Sequence, residues 1–141
     1  MILIEQKGNL FDAPDGYYLA HCISSDYKLG AGIAKQFVEI FNMRNRLFDT
    51  YPETGKVGIA LLIDQVFNLV TKQKYYYKPT YETLTQALID MKCQCQTMGI
   101  NKIAMPKIGC GLDKLKWDNV KNLLNELFSD TDVEIIVYSL D

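Results

Sequence analysis

Two loops in this chain are built to meet an anion. One is Leu29-Gly30-Ala31-Gly32-Ile33-Ala34, the other Met105-Pro106-Lys107-Ile108-Gly109-Cys110-Gly111-Leu112-Asp113. In each, two glycines stand one residue apart, and the missing Cβ lets the backbone turn sharply and come close to a ligand. The second loop follows the apolar run Ile103-Ala104-Met105, which reads as the end of a buried strand, and an amphipathic helix pattern begins soon after Asp113. A strand, a glycine loop and a helix N-terminus in that order turn backbone N–H groups toward negative charge. Two such loops facing each other suit a ligand with phosphates between two sugars.

The other reactive side chains read more quietly. His21, the single histidine, is expected to be packed and hydrogen-bonded at a strand end. Cys110 reads as a small side chain tucked under its loop rather than as a nucleophile. Ser24, Ser25 and Asp26 form a polar turn within reach of a sugar or phosphate, although Asp26 also fits a surface turn. From composition Lys72 is a solvated charge at a strand end, and Asp113 is either a reactive acid or the cap of the following helix. Tyr75-Tyr76-Tyr77 could stack on a base or pack on and off a sheet; packing is expected, with Lys72, Gln73, Lys74 and Lys78 as a solvated basic edge. Cys93-Gln94-Cys95 has the wrong spacing for one helix face and no second ligand pair, so no metal site is expected.

The elements that must position these groups follow from periodicity. Met1–Lys7 and Tyr17–Cys22 read as strands, the second after the turn Pro14-Asp15-Gly16. Ile33, Phe37, Ile40 and Phe41 place a helix over Gly32–Phe41, and a shorter one covers Arg44–Tyr51 before Pro52 and Gly55. Gly58–Ile63 and Val66–Thr71 form a hairpin. The steps of three and four through Tyr81, Leu84, Leu88, Met91, Cys95 and Met98 make a helix with Thr80 as N-cap and Gly99 as its end. A strand at Lys102–Pro106, a helix around Trp117–Phe128 and a strand at Val133–Leu140 complete the chain. The expected fold is an α/β three-layer sandwich (α/β/α) with a mixed central sheet, its ligand outside the carboxyl ends of the strands.

With 141 residues, 48% apolar and 23% charged, the chain reads as one domain over residues 1–141. A net charge of −2 gives no general drive toward nucleic acid. Met1-Ile2-Leu3-Ile4 meets Glu5 too soon for a signal peptide, and no apolar run approaches the roughly 20 residues of a membrane span. A cytoplasmic monomer is expected, with Cys22, Cys93, Cys95 and Cys110 as free thiols.

The ordered set Gly8-Asn9-Leu10-Phe11, Ala20-His21-Cys22-Ile23-Ser24-Ser25-Asp26, Gly30-Ala31-Gly32-Ile33-Ala34, Thr71-Lys72, Lys78-Pro79-Thr80-Tyr81-Glu82, Met105 to Asp113, Trp117 and Val137-Tyr138-Ser139-Leu140 resembles the macrodomain family. Within it, the likeness is to the terminal ADP-ribose protein glycohydrolase branch, and it covers nearly the whole chain. The resemblance implies that ADP-ribose lies across the strand ends. Its diphosphate would meet N–H groups of the loops holding Gly30, Gly32 and Ile33 and Ile108, Gly109, Cys110, Gly111 and Leu112. Its distal ribose would sit between Gly32 and Gly111–Asp113, and its adenine near Asn9, Leu10 and Tyr138. Asn9 stands where many relatives have aspartate, so its amide oxygen would accept from adenine without charge assistance, and weaker adenine binding is expected.

The same branch implies that a lysine attacks the anomeric carbon of the distal ribose and an aspartate resolves the adduct; these positions fall on Lys72 and Asp113. An unprotonated lysine amine is a competent nucleophile toward such a carbon, and a nearby carboxylate can move protons and steady positive charge there. Lys74 is the fallback nucleophile. The leading expectation is therefore a hydrolase, needing no cofactor, that removes ADP-ribose from a glutamyl ester on protein or from modified nucleic acid. A non-catalytic reader of ADP-ribose would bind without turnover. A phosphatase acting on ADP-ribose 1''-phosphate would need Asp113 and little of Lys72.

Overall fold

The computed structural model describes residues 1–140. Its elements run β1 (Ile2–Lys7), a 3-10 turn (Leu10–Asp12), β2 (Tyr18–Ser24), α1 (Gly32–Phe41), α2 (Met43–Thr50), β3 (Ile59–Ile63), β4 (Val66–Lys72), α3 (Tyr81–Met98), β5 (Lys102–Pro106), α4 (Trp117–Phe128) and β6 (Glu134–Ser139). The six strands make one sheet in the order β1-β6-β5-β2-β4-β3. All neighbours are parallel except the β3–β4 hairpin. The parallel strands therefore end on one edge, where both glycine loops leave the sheet.

Alternation along the strands divides the core between the two faces. Ile103, Met105, Ile135 and Val137 join Leu84, Leu88 and Met91 of α3 and Val120, Leu124 and Phe128 of α4. Ala104, Ile136, Val66 and Val70 join Phe37 of α1 and Met43 and Leu47 of α2. The α/β/α sandwich with a mixed sheet is thus the architecture observed. In α3 the Thr80 hydroxyl accepts from the Thr83 N–H at 3.1 Å while Thr83 Oγ1 accepts from the Thr80 N–H at 3.0 Å, a reciprocal cap. Met98 departs from its expected buried stripe and stands exposed in the last turn. Asn42, left-handed at φ 55°, ends α1 and starts α2, turning the chain within one residue.

His21 lies wholly buried on the α1 face, stacked on Phe37 with ring centroids 3.8 Å apart. Asn68 Nδ2 donates to the Leu61 carbonyl at 3.0 Å, so Asn68 Oδ1 is the acceptor and His21 Nε2–H the donor at 2.6 Å. Nδ1 has no partner. Burial pushes this imidazole down to about 4, against the opposing pull of Asn68. His21 is a neutral packing residue, as its position in the sequence led us to expect. Among the described residues no helix is long and apolar enough to cross a membrane.

Candidate functional site

A cavity of about 710 Å³ opens at the carboxyl ends of β2, β4 and β5, between the two glycine loops. That size lies in the usual range for a small-molecule site. The structure brings Ser24, Gly30, Gly32, Ile33, Lys72, Ile108, Gly109, Gly111, Leu112 and Asp113 around it. Asn9, Leu10, Cys110 and Tyr138 do not line it. Leu10 and Tyr138 are buried, and the Tyr138 ring lies against Gly8. Asn9 Oδ1 accepts from the Phe11 N–H at 3.0 Å and so caps the 3-10 turn with one of its acceptor sites. Lys74, the fallback nucleophile, is exposed beyond the end of β4 and does not line the cavity.

The first loop is held from below. β2 and β4 slip register at Ile23/Ser24, which sets Ser24 beside Lys72; such bulges re-aim side chains at strand ends. Ser24 Oγ donates to Asp26 Oδ1 at 2.5 Å, and the Lys28 and Tyr75 N–H groups donate to the same carboxylate at 3.2 and 3.0 Å. Burial opposes the charge on Asp26, but these hydrogen bonds outweigh it and hold the carboxyl below its usual range. Tyr27 and Leu29 are left-handed, at φ 55° and 44°. Both are nearly buried, and the Tyr27 hydroxyl donates to the Tyr51 carbonyl at 3.0 Å, so packing maintains backbone angles that cost energy in isolation. Above this base α1 begins at Gly32 with no side-chain cap and no acid in its first turn. Gly32, Ile33 and Ala34 of this first turn line the cavity, and N–H groups at a helix start have no intrahelical partner.

In the second loop Gly109 takes φ +73°, and its carbonyl accepts from the Leu115 N–H at 2.7 Å. The Lys78 ammonium donates to the Leu112 carbonyl at 2.9 Å, and Leu112 Cδ1 lies 3.4 Å from where a Cβ on Gly32 would stand. The loops thus meet above the cavity, and the φ of +60° at Gly32 favours a glycine there.

Beneath them the Lys72 ammonium lies 2.6 Å from Asp113 Oδ1, an ion pair whose side chains are only 14% and 16% exposed. Asp113 is not a helix cap: α4 begins at Trp117 with Lys116 before it. Burial, reinforced by the negative charge of Asp113, pushes the Cys22 thiol up to about 12. Burial likewise raises Cys110 to about 11. Both are thereby favoured as protonated thiols at neutral pH, a poor state for a nucleophile. Among the described residues no three His, Cys, Asp or Glu side chains converge as metal ligands would.

Sequence reasoning missed part of the wall. Lys28, Tyr75, Tyr76 and Lys78 also line the cavity. The expected packing of Tyr75–Tyr77 is overturned, because these rings are 56%, 64% and 47% exposed. β4 ends at Lys72, so the tyrosines lie in a turn past the sheet with no face to pack on.

An α/β/α sandwich with two glycine loops facing across its strand ends is an architecture suited to a phosphate-bearing ligand. The chain belongs to the macro domain family, whose model matches residues 54–124. It is 42% identical over 135 residues to ADP-ribose glycohydrolase OARD1 of Homo sapiens, covering 95% of this chain and 89% of that protein. It is 27% identical over 143 residues to a DNA ADP-ribosyl glycohydrolase of Thermus aquaticus, covering 94% of this chain but 39% of that one. Among solved structures, the macrodomain of Thermus aquaticus DarG matches with a TM-score of 0.84 and 25% identity over 98% of each chain.

Proposed function

We propose that the chain is an ADP-ribose glycohydrolase that releases ADP-ribose from modified protein or DNA. The observation that carries the mechanism is the Lys72–Asp113 pair, 2.6 Å apart on the cavity floor between the loops. In this reading the diphosphate rests on the first N–H groups of α1 and on the loop from Ile108 to Leu112, with Ser24 beside it. The distal ribose lies under Leu112. Lys72 Nζ passes a proton by way of Asp113 to the departing group and, as the neutral amine, forms a bond to the anomeric carbon while the bond to the glutamyl oxygen or base nitrogen breaks and the leaving group departs with its electron pair. Asp113 then takes a proton from water, which bonds to the same carbon and expels the lysine. Its charge also steadies the positive centre in both steps.

Close identity to a glycohydrolase over 95% of the chain supports this reading. Asn9 and Tyr138, outside the cavity but on the same edge, would receive the adenine. Four free cysteines support a cytoplasmic setting. Both loops and both reactive side chains come from one chain, which supports a working monomer.

The test compares wild type with Lys72→Ala for release of ADP-ribose from glutamyl-ADP-ribosylated protein and from ADP-ribosylated DNA. Release that disappears in the variant while ADP-ribose binding persists is expected. Binding without release by wild type would leave a reader. Phosphate release from ADP-ribose 1''-phosphate that survives Lys72→Ala would make the chain a phosphatase.

A further inference from the structure

The turn after β4 holds three consecutive aromatic side chains in solvent, Tyr76 most of all. Adjacent rings stand edge to face, with centroids 5.2 and 5.0 Å apart and planes crossing at 85° and 87°. The backbone beneath them is tied down. The Tyr75 N–H donates to Asp26 Oδ2 at 3.0 Å, the Tyr77 N–H to the Lys74 carbonyl at 2.9 Å, and Ser25 Oγ donates to the Gln73 carbonyl at 2.7 Å. Aromatic surface left open on a tethered turn marks a place where something binds.

Position and charge say what. Tyr75 and Tyr76 line the cavity together with Lys72; resting on the function proposed above, they stand where a polymer joined to the distal ribose can pass as it leaves the site. Lys28 Nζ sits 5.8 Å from the Tyr75 ring centre, and Lys74 and Lys78 flank the tyrosines, with no acid from Lys72 to Lys78. A basic, aromatic strip has formed locally on a chain whose net charge is −2. An extended peptide would seek a free strand edge, but β4 is paired on both sides by β2 and β3. Bases need only flat π faces, and phosphates only cations, and the rim offers both.

We propose that Tyr75, Tyr76 and Tyr77, with Lys28 and Lys74, form a stacking platform for the single-stranded nucleic acid that flanks an ADP-ribosylated base. The platform makes such strands preferred substrates over protein esters. Tyr76 is its central contact and Lys74 a phosphate contact.

Two measurements decide this. The first follows binding of fluorescent, unmodified oligothymidylate by anisotropy across a salt series, for wild type, Tyr76→Ala, Tyr76→Phe and Lys74→Gln. Tyr76→Ala should weaken binding roughly tenfold, the size of one lost base–aromatic stack. Tyr76→Phe should restore it, and Lys74→Gln should flatten the salt dependence. The second takes the ratio of kcat/KM on an ADP-ribosylated oligonucleotide to kcat/KM on glutamyl-ADP-ribosylated protein. That ratio should fall about tenfold in Tyr76→Ala, chiefly through KM on the oligonucleotide. Equal oligonucleotide binding by wild type and Tyr76→Ala would overturn the platform, as would equal losses on the two substrates. A larger loss on the protein ester would assign the rim to polypeptide instead. If wild type releases ADP-ribose from neither substrate, the hydrolase reading fails, and the anisotropy measurement alone decides the platform.

Discussion

Titration of the fully buried His21 should be visible in the stability of the whole chain. In the native state burial pushes the imidazole down to about 4, whereas in the unfolded chain it titrates near 6.5. As pH falls below the unfolded value, the unfolded state gains a proton that the folded state refuses. The stability contributed by a neutral His21 is therefore complete above about pH 6.5 and is lost as pH falls toward the native value. Linkage puts the loss at about 2 kcal/mol by pH 5 and about 3 kcal/mol near pH 4. Urea unfolding from about pH 7.5 to pH 5 measures it. Because the chain has one histidine, imidazole NMR signals assign the native titration without ambiguity. Carboxyls held low in the native state, Asp26 among them, add their losses mainly below this window. A native imidazole titrating near 6.5, or stability unchanged between pH 7 and 5, would refute the reasoning.

Gly109→Ala would force a Cβ to 2.9 Å from Leu115 Cδ1 at φ +73°; a stability loss of about 1–2 kcal/mol is expected in urea unfolding, with weaker ADP-ribose binding by calorimetry. Gly30→Ala meets nothing nearer than 3.9 Å and has no positive φ, so its unfolding midpoint should stay close to that of wild type. Asp26→Ala removes the acceptor shared by Ser24, Lys28 and Tyr75 and should cost about 1–2 kcal/mol at neutral pH, with faster amide exchange at Tyr75. Asp113→Asn keeps a hydrogen-bond acceptor beside Lys72 but no charge; release of ADP-ribose should fall at least about a hundredfold, read as kcat on either substrate.

Local pattern revealed α1 and β5 at their observed bounds, because apolar spacing and glycine placement are properties of short windows. It also found both glycine loops that border the cavity, since their glycines are visible one residue apart. The strand order was not legible: β1 lies beside β6, a pairing across nearly the whole chain. The engagement of Lys72 with Asp113, 41 residues apart, became an expectation only through family likeness. Tyr27 and Leu29 gave no sign of their left-handed backbones, because what holds them there is burial against distant residues. The tyrosine run was misjudged for a related reason. Alternation predicts packing only while a strand continues, and nothing in Tyr75-Tyr76-Tyr77 announces that β4 stops at Lys72.

The ion pair on the cavity floor also bears on how the site behaves when idle. A bare amine at the end of an open cleft would condense with whatever aldehyde or reducing sugar drifted in. Lys72 is instead engaged by Asp113 at 2.6 Å, and an ammonium has no lone pair to offer. In the mechanism proposed above, a substrate that takes over the Asp113 contact frees the nitrogen to react, so the reagent would be armed by its own substrate. On the mechanism proposed above, the chain would in this sense be protected from glycation at the residue to which a sugar attaches for a moment.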